Sequence, residues 1–80
     1  MGHRILIAED DEKVRNLFLT GLTNFGYTVI EATDGEDAVH KYRDHKDRID
    51  VLIFDLIMPG KSGNEAYDEI RKIRPDIKIL

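Results

Sequence analysis

Three short apolar runs, each followed by a stretch with helical spacing, constrain the fold of this chain more than any other feature. The runs are Ile5–Ala8, Tyr27–Ile30 and Asp50–Phe54, rich in β-branched residues and, in the third, apolar on both faces. Such runs read as strands buried on both sides of a sheet. Between them the spacing changes. From Glu12 to Phe25 the residues Val14, Leu17, Phe18, Leu22 and Phe25 recur three or four apart, one face of a helix. Asp10 or Asp11 can cap its start and Gly26 can end it. Thr33, Asp34 and Gly35 form a turn that also supplies an N-cap for a second helix, about Glu36 to His45. That helix buries Ala38, Val39 and Tyr42 and turns Lys41, Arg43 and Asp44 to water. After the Pro59-Gly60 turn, Ser62 and Glu65 have capping-box spacing at the start of a third helix. It buries Ala66, Ile70 and Ile73 and must stop before Pro75, and Ile77 to Leu80 begins a fourth strand. Strands alternating with helices of about ten residues require crossover connections, hence an α/β fold with a parallel sheet.

Size and composition limit the functions available to such a fold. Eighty residues, 41% apolar, make one small domain near the lower limit for an independent core. Cysteine is absent, so neither a disulfide framework nor a thiolate metal site exists. No apolar run is long enough to span a bilayer and no apolar leader opens the chain, so the expectation is a soluble, cytoplasmic protein. Sixteen acidic residues against twelve basic ones give a net charge of −4, and no basic stripe offers a surface to nucleic acid.

The acids sit where such a fold places chemistry. In an open parallel sheet, ligands bind beyond the carboxyl ends of the strands, where the strand order reverses. Glu9 and Asp10 follow the first strand and Asp55 closes the third, so neighbouring strands would bring three carboxylates to one rim. Crowded carboxylates repel one another, and a positive partner is expected. Oxygen ligands of this kind suit a hard divalent cation such as Mg²⁺. A carboxylate beside such a cation can attack phosphorus, with Asp55 as nucleophile and Asp10 as metal ligand. The competing reading of Asp11 or Glu12 is a plain helix cap. Asp55 has no such local duty, because the next helix starts only near Ser62.

With these residues in view, the chain resembles the receiver domains of two-component response regulators. The likeness is carried by the strand ending in Glu9-Asp10-Asp11, by "GYTVIEATDGEDAV" from residue 26, and by "DLIMPGKSG" from Asp55 to Gly63. The resemblance implies a flavodoxin-like doubly wound parallel sheet of order 2-1-3-4-5, incomplete here. Strands and helices βαβαβαβ are present, and the last strand and two helices are missing, so residues 1–80 are the N-terminal two-thirds of the full domain. It further implies that Asp55 accepts a phosphoryl group from a phosphohistidine of a sensor histidine kinase or phosphotransfer protein. Mg²⁺ would be held by Asp10, Asp55 and the backbone carbonyl of Ile57, with Glu9 acting through water. Pro59 and Gly63 would shape the loop, and Lys61 is read as solvated. Two family positions, a Ser or Thr after the fourth strand and a Lys after the fifth, fall beyond Leu80. The module would be regulatory rather than an enzyme in its own right, and would switch an output domain or downstream partner. Residues from Met58 to Leu80 also resemble receivers fused to hybrid sensor kinases.

Other classes fit less well. A haloacid-dehalogenase-like phosphatase would carry a second Asp two positions after the nucleophile, where this chain has Ile57. A flavodoxin-like cofactor binder would not place three acids where a phosphate must sit. A receiver-like interaction module that is not phosphorylated is the remaining alternative. The bare sheet face and fourth-strand edge of an incomplete domain predict association through that edge. His3, His40 and His45 are read as solvated, and Tyr27, Tyr42 and Tyr67 as partly buried rings with wet hydroxyls.

Overall fold

The computed structural model describes residues 3–45, 48–55 and 61–80. Its elements run β1 (Arg4–Ala8), α1 (Glu12–Asn24), β2 (Thr28–Ala32), α2 (Gly35–His45), β3 (Val51–Phe54), α3 (Gly63–Ile73) and β4 (Lys78–Ile79). The four strands form one sheet of order β2-β1-β3-β4, with every neighbouring pair parallel. The expected doubly wound arrangement is therefore present, with the order reversing between β1 and β3.

Local chemistry sets the helix ends. Asp11 is the N-cap of α1, its carboxylate accepting from the Lys13 and Val14 N–H groups at 2.9 and 3.2 Å. At the other end Gly26 takes φ +90°, and its N–H donates to Thr23 while that of Tyr27 donates to Leu22. These two bonds close a Schellman turn, which needs a left-handed residue. Asp34 caps α2 through a 2.7 Å bond from the Asp37 N–H. Ser62 and Glu65 form the reciprocal capping box that their spacing predicts.

The main core lies between the sheet and the α2–α3 layer. Leu6, Ala8, Leu52 and Phe54 face it from the strands, Ala38, Val39 and Tyr42 from α2, and Ala66 and Ile70 from α3. The opposite sheet face is thinly covered. Helix α1 has no fully buried residue, Leu17 and Phe25 are 74% and 83% exposed, and Val51 and Ile53 of β3 are only half-buried. The α1 side is thus only partly bare, since Ile5 and Ile7 of β1 are buried on it, and β4 forms one sheet edge.

Several expectations are corrected. β2 runs from Thr28 to Ala32 rather than Tyr27 to Ile30, because the Schellman turn uses Tyr27 and the strand then pairs with all of β1. Ile73 is 39% exposed rather than buried, being the last residue of α3. Tyr42 is fully buried, hydroxyl included, because it sits on the face of α2 that meets the sheet and α3. Lys41 is half-buried rather than fully turned to water: its Nζ donates to the Glu31 carbonyl at 2.6 Å and lies 3.5 Å from Asp37. His3 and His40 are exposed as expected, whereas His45 is half-buried with Nδ1 3.0 Å from the Lys41 carbonyl. The turn at Pro59-Gly60 lies outside the described residues.

A candidate metal and phosphoacceptor site

Because β1 and β3 are adjacent and in register from Ile5 opposite Val51 to Ala8 opposite Phe54, their next residues emerge side by side. The Asp55 N–H continues the ladder, donating to the Ala8 carbonyl at 3.0 Å, and the Glu9 N–H donates to Ala32 at 3.1 Å. Both acids are thereby placed by backbone bonds before any side-chain interaction is counted. One carboxylate oxygen from each of Glu9, Asp10 and Asp55 lies within 4.8 Å of the others. Glu9 and Asp55 are half-buried and Asp10 is exposed, so the cluster opens to solvent on one side.

Electrostatics matches this crowding. Partial burial pushes the Glu9 carboxyl above its ordinary range, and the adjoining Asp10 and Asp55 carboxylates push it the same way. The Asp11 N–H, 3.1 Å from Glu9 Oε2, acts in the opposite sense by favouring the charged form. The folded chain therefore holds the Glu9 proton more tightly than the unfolded chain does. Ionised Glu9 costs stability that is absent at pH well below 4.5 and sets in as pH rises through the raised folded value. Glu9→Gln is expected to stabilise the metal-free protein at pH 7 by on the order of 0.5 kcal/mol. The gain should vanish near pH 3.5, and thermal melts of both proteins at the two pH values measure it. An equal gain at both would remove the charge explanation.

Three carboxylates with open coordination positions fit a hard divalent ion, which takes few protein oxygens and keeps several waters. Glu9, Asp10 and Asp55 come together as the sequence predicted, while Ile57 lies outside the described residues. Lys61 is not solvated: its ammonium pairs with the Glu69 carboxylate, and the pairing raises the lysine pKa and lowers that of the glutamate. The two groups are thus held charged and joined, tying the residue before the Ser62 cap to the second turn of α3. Two contacts were missed by sequence reasoning, one of them at the site. Arg15 reaches back to the Glu9 carbonyl, and Gly35 lies against the Lys61 backbone. Arg15 stands on the polar side of a helical pattern and Gly35 in a turn, so neither position carries a signal of contact with a distant loop.

A doubly wound parallel sheet bearing an acidic triad at the switch point between β1 and β3 defines a class of signalling domains. The chain belongs to the response regulator receiver domain family, whose model matches residues 5–80. It is 41% identical over 81 residues to the chemotaxis protein CheY of Thermotoga maritima, covering 100% of this chain and 66% of that protein. Its fold matches the response regulator TrrA of Thermotoga maritima, solved in complex with Mg²⁺ and BeF, at TM-score 0.89 and 39% identity. The match covers 96% of this chain and 65% of TrrA. The same regulator in complex with the histidine kinase ThkA matches at TM-score 0.86, again at 39% identity and the same coverage. The chain spans about two thirds of the length of these relatives. Among the described residues, no helix is long and apolar enough to cross a membrane.

Proposed function

We propose that this receiver domain is a phosphoacceptor in which Asp55 takes a phosphoryl group from a phosphohistidine of a sensor histidine kinase or phosphotransfer protein. The observation that carries the reading is the convergence of Glu9, Asp10 and Asp55 at the carboxyl ends of adjacent strands. Asp10 and Asp55 would hold Mg²⁺ directly, with the Ile57 carbonyl, and Glu9 through water. When bound, that ion supplies positive charge to the transferring phosphoryl oxygens. A carboxylate oxygen of Asp55 forms the O–P bond as the P–N bond of the phosphohistidine breaks, and the released imidazole nitrogen takes a proton from water. Asp55 is suited to this role because the last ladder bond of β3 fixes its backbone and its side chain stands half-open to solvent. The new charge on Asp55 would then bias a surface read by an output domain or downstream partner. The module assists its own modification without turning over a substrate. The complex of the related regulator TrrA with a histidine kinase supports a cytoplasmic setting. The length ratio to the chemotaxis protein CheY supports reading residues 1–80 as the N-terminal two-thirds of a longer receiver.

Incubation with Mg²⁺ and a small phosphodonor, followed by intact-mass measurement, tests the proposal. One phosphoryl adduct should form and should be lost in Asp55→Asn and on chelation. An adduct that survives Asp55→Asn would move the acceptor elsewhere, and no adduct at all would favour the unphosphorylated interaction module.

A further inference from the structure

Arg15 lies in the first turn of α1 with its side chain only 14% exposed, folded back over the β1–α1 junction. Its Nη1 donates to the Glu9 carbonyl at 2.8 Å, and its Nε lies 3.4 Å from Oε1 of Glu31 on β2. A guanidinium is a rigid fork, so holding two acceptors fixes them relative to one another. The peptide unit is planar, so fixing the Glu9 carbonyl fixes the plane from which both the Glu9 and Asp10 side chains branch. That carbonyl belongs to the residue just past the end of β1, and the Glu9 N–H bond to Ala32 alone leaves rotation about the following bonds open.

We propose that Arg15 is a positioning residue for the acidic cluster, clamping the Glu9–Asp10 peptide to β2 so that both carboxylates meet the same divalent cation as Asp55. The inference rests on the reading of the cluster as a metal site. Its sign separates it from simple electrostatics. A cation beside an acidic site repels a second cation, so removing the arginine charge would by Coulomb's law alone tighten metal binding. Loss of an outer residue that orients ligands instead weakens binding, by about 10-fold to 100-fold in known metal sites.

The test is a Mn²⁺ titration followed by electron paramagnetic resonance, with Mg²⁺ as competitor, on the wild type, Arg15→Gln and Arg15→Lys. Mn²⁺ shares the preference for oxygen ligands. Circular dichroism at the titration temperature establishes that each variant is folded. Arg15→Gln is expected to weaken Mn²⁺ binding about 10-fold or more despite the lost positive charge. Arg15→Lys keeps the charge but replaces the rigid fork with a flexible ammonium that does not hold its acceptors in a fixed relation, so it should also bind more weakly than wild type. Should Arg15→Gln fail to fold, Arg15→Lys decides, since its charge is unchanged. Wild-type affinity in Arg15→Lys, or equal or tighter binding in Arg15→Gln, overturns the clamp. A wild type that binds no Mn²⁺ overturns instead the metal reading on which it rests.

Discussion

Gly35→Ala is expected to destabilise the domain by about 1–3 kcal/mol, the usual cost of forcing an extra carbon into a filled space. Helix propensity argues the other way, since Ala at a helical position is favoured over Gly by up to about 1 kcal/mol. Sterics decides the sign. A Cβ on buried Gly35 would overlap the Lys61 carbonyl oxygen and lie 2.8 Å from its carbonyl carbon and 3.0 Å from the Ser62 carbonyl oxygen. These are backbone atoms, which cannot rotate aside as a side-chain tip can. Ser62 is moreover the N-cap of α3, held in a capping box with Glu65, and displacing it endangers an interaction whose loss typically costs about 0.5–2 kcal/mol. For a domain of this size each kcal/mol corresponds to about 4–8 °C in Tm, so a fall of several degrees should appear in a thermal melt. A melting temperature at or above wild type would mean that the 61–62 backbone yields to the added carbon.

Gly35 illustrates where sequence reasoning stops. Its neighbours Thr33 and Asp34 mark a turn and an N-cap from chemistry local to the chain, and the structure has both a cap at Asp34 and a helix starting at Gly35. What crowds Gly35 is a backbone 26 positions later, which no local pattern encodes. The same boundary separates the other successes and failures. Runs, caps and the capping box at Ser62 act within a few residues, so element order and helix starts were legible. The approach of Glu9, Asp10 and Asp55 was legible only through a rule of topology, that adjacent parallel strands carry their ends to one rim. Arg15, Lys41 and Lys61 were misread or missed because long cationic side chains lay their stems along the protein and bond to distant acceptors. Tyr42 was misjudged because complete burial depends on α3 closing over α2, a contact between elements that sequence spacing does not report.

Leu52→Ala is expected to cost about 2–5 kcal/mol, the range for emptying a fully buried leucine site. Leu52 is 0% exposed in a central strand, opposite Leu6 on β1 and Ile79 on β4, with the α2–α3 core above it. A domain of this length has roughly 4–12 kcal/mol in total, so the loss should lower Tm strongly and could leave a substantial unfolded fraction at 37 °C. Ile53 is the informative comparison. It is next in the same strand and of the same volume class, but it points to the thinly covered α1 side and is only half-buried, lining an open hollow with Ile7, Phe18 and Asp55. Less apolar surface leaves water there, so Ile53→Ala should cost clearly less than Leu52→Ala in parallel melts. A cost for Ile53→Ala equal to or above that for Leu52→Ala would show that something covers the α1 side in solution and that the core is two-sided. The outcome bears on chemistry because Asp55 follows both residues on one rigid strand. With the core on the α2–α3 side, Leu52 and Phe54 hold β3 in place, and the strand leaves the core at the position where its carboxylate meets Glu9 and Asp10.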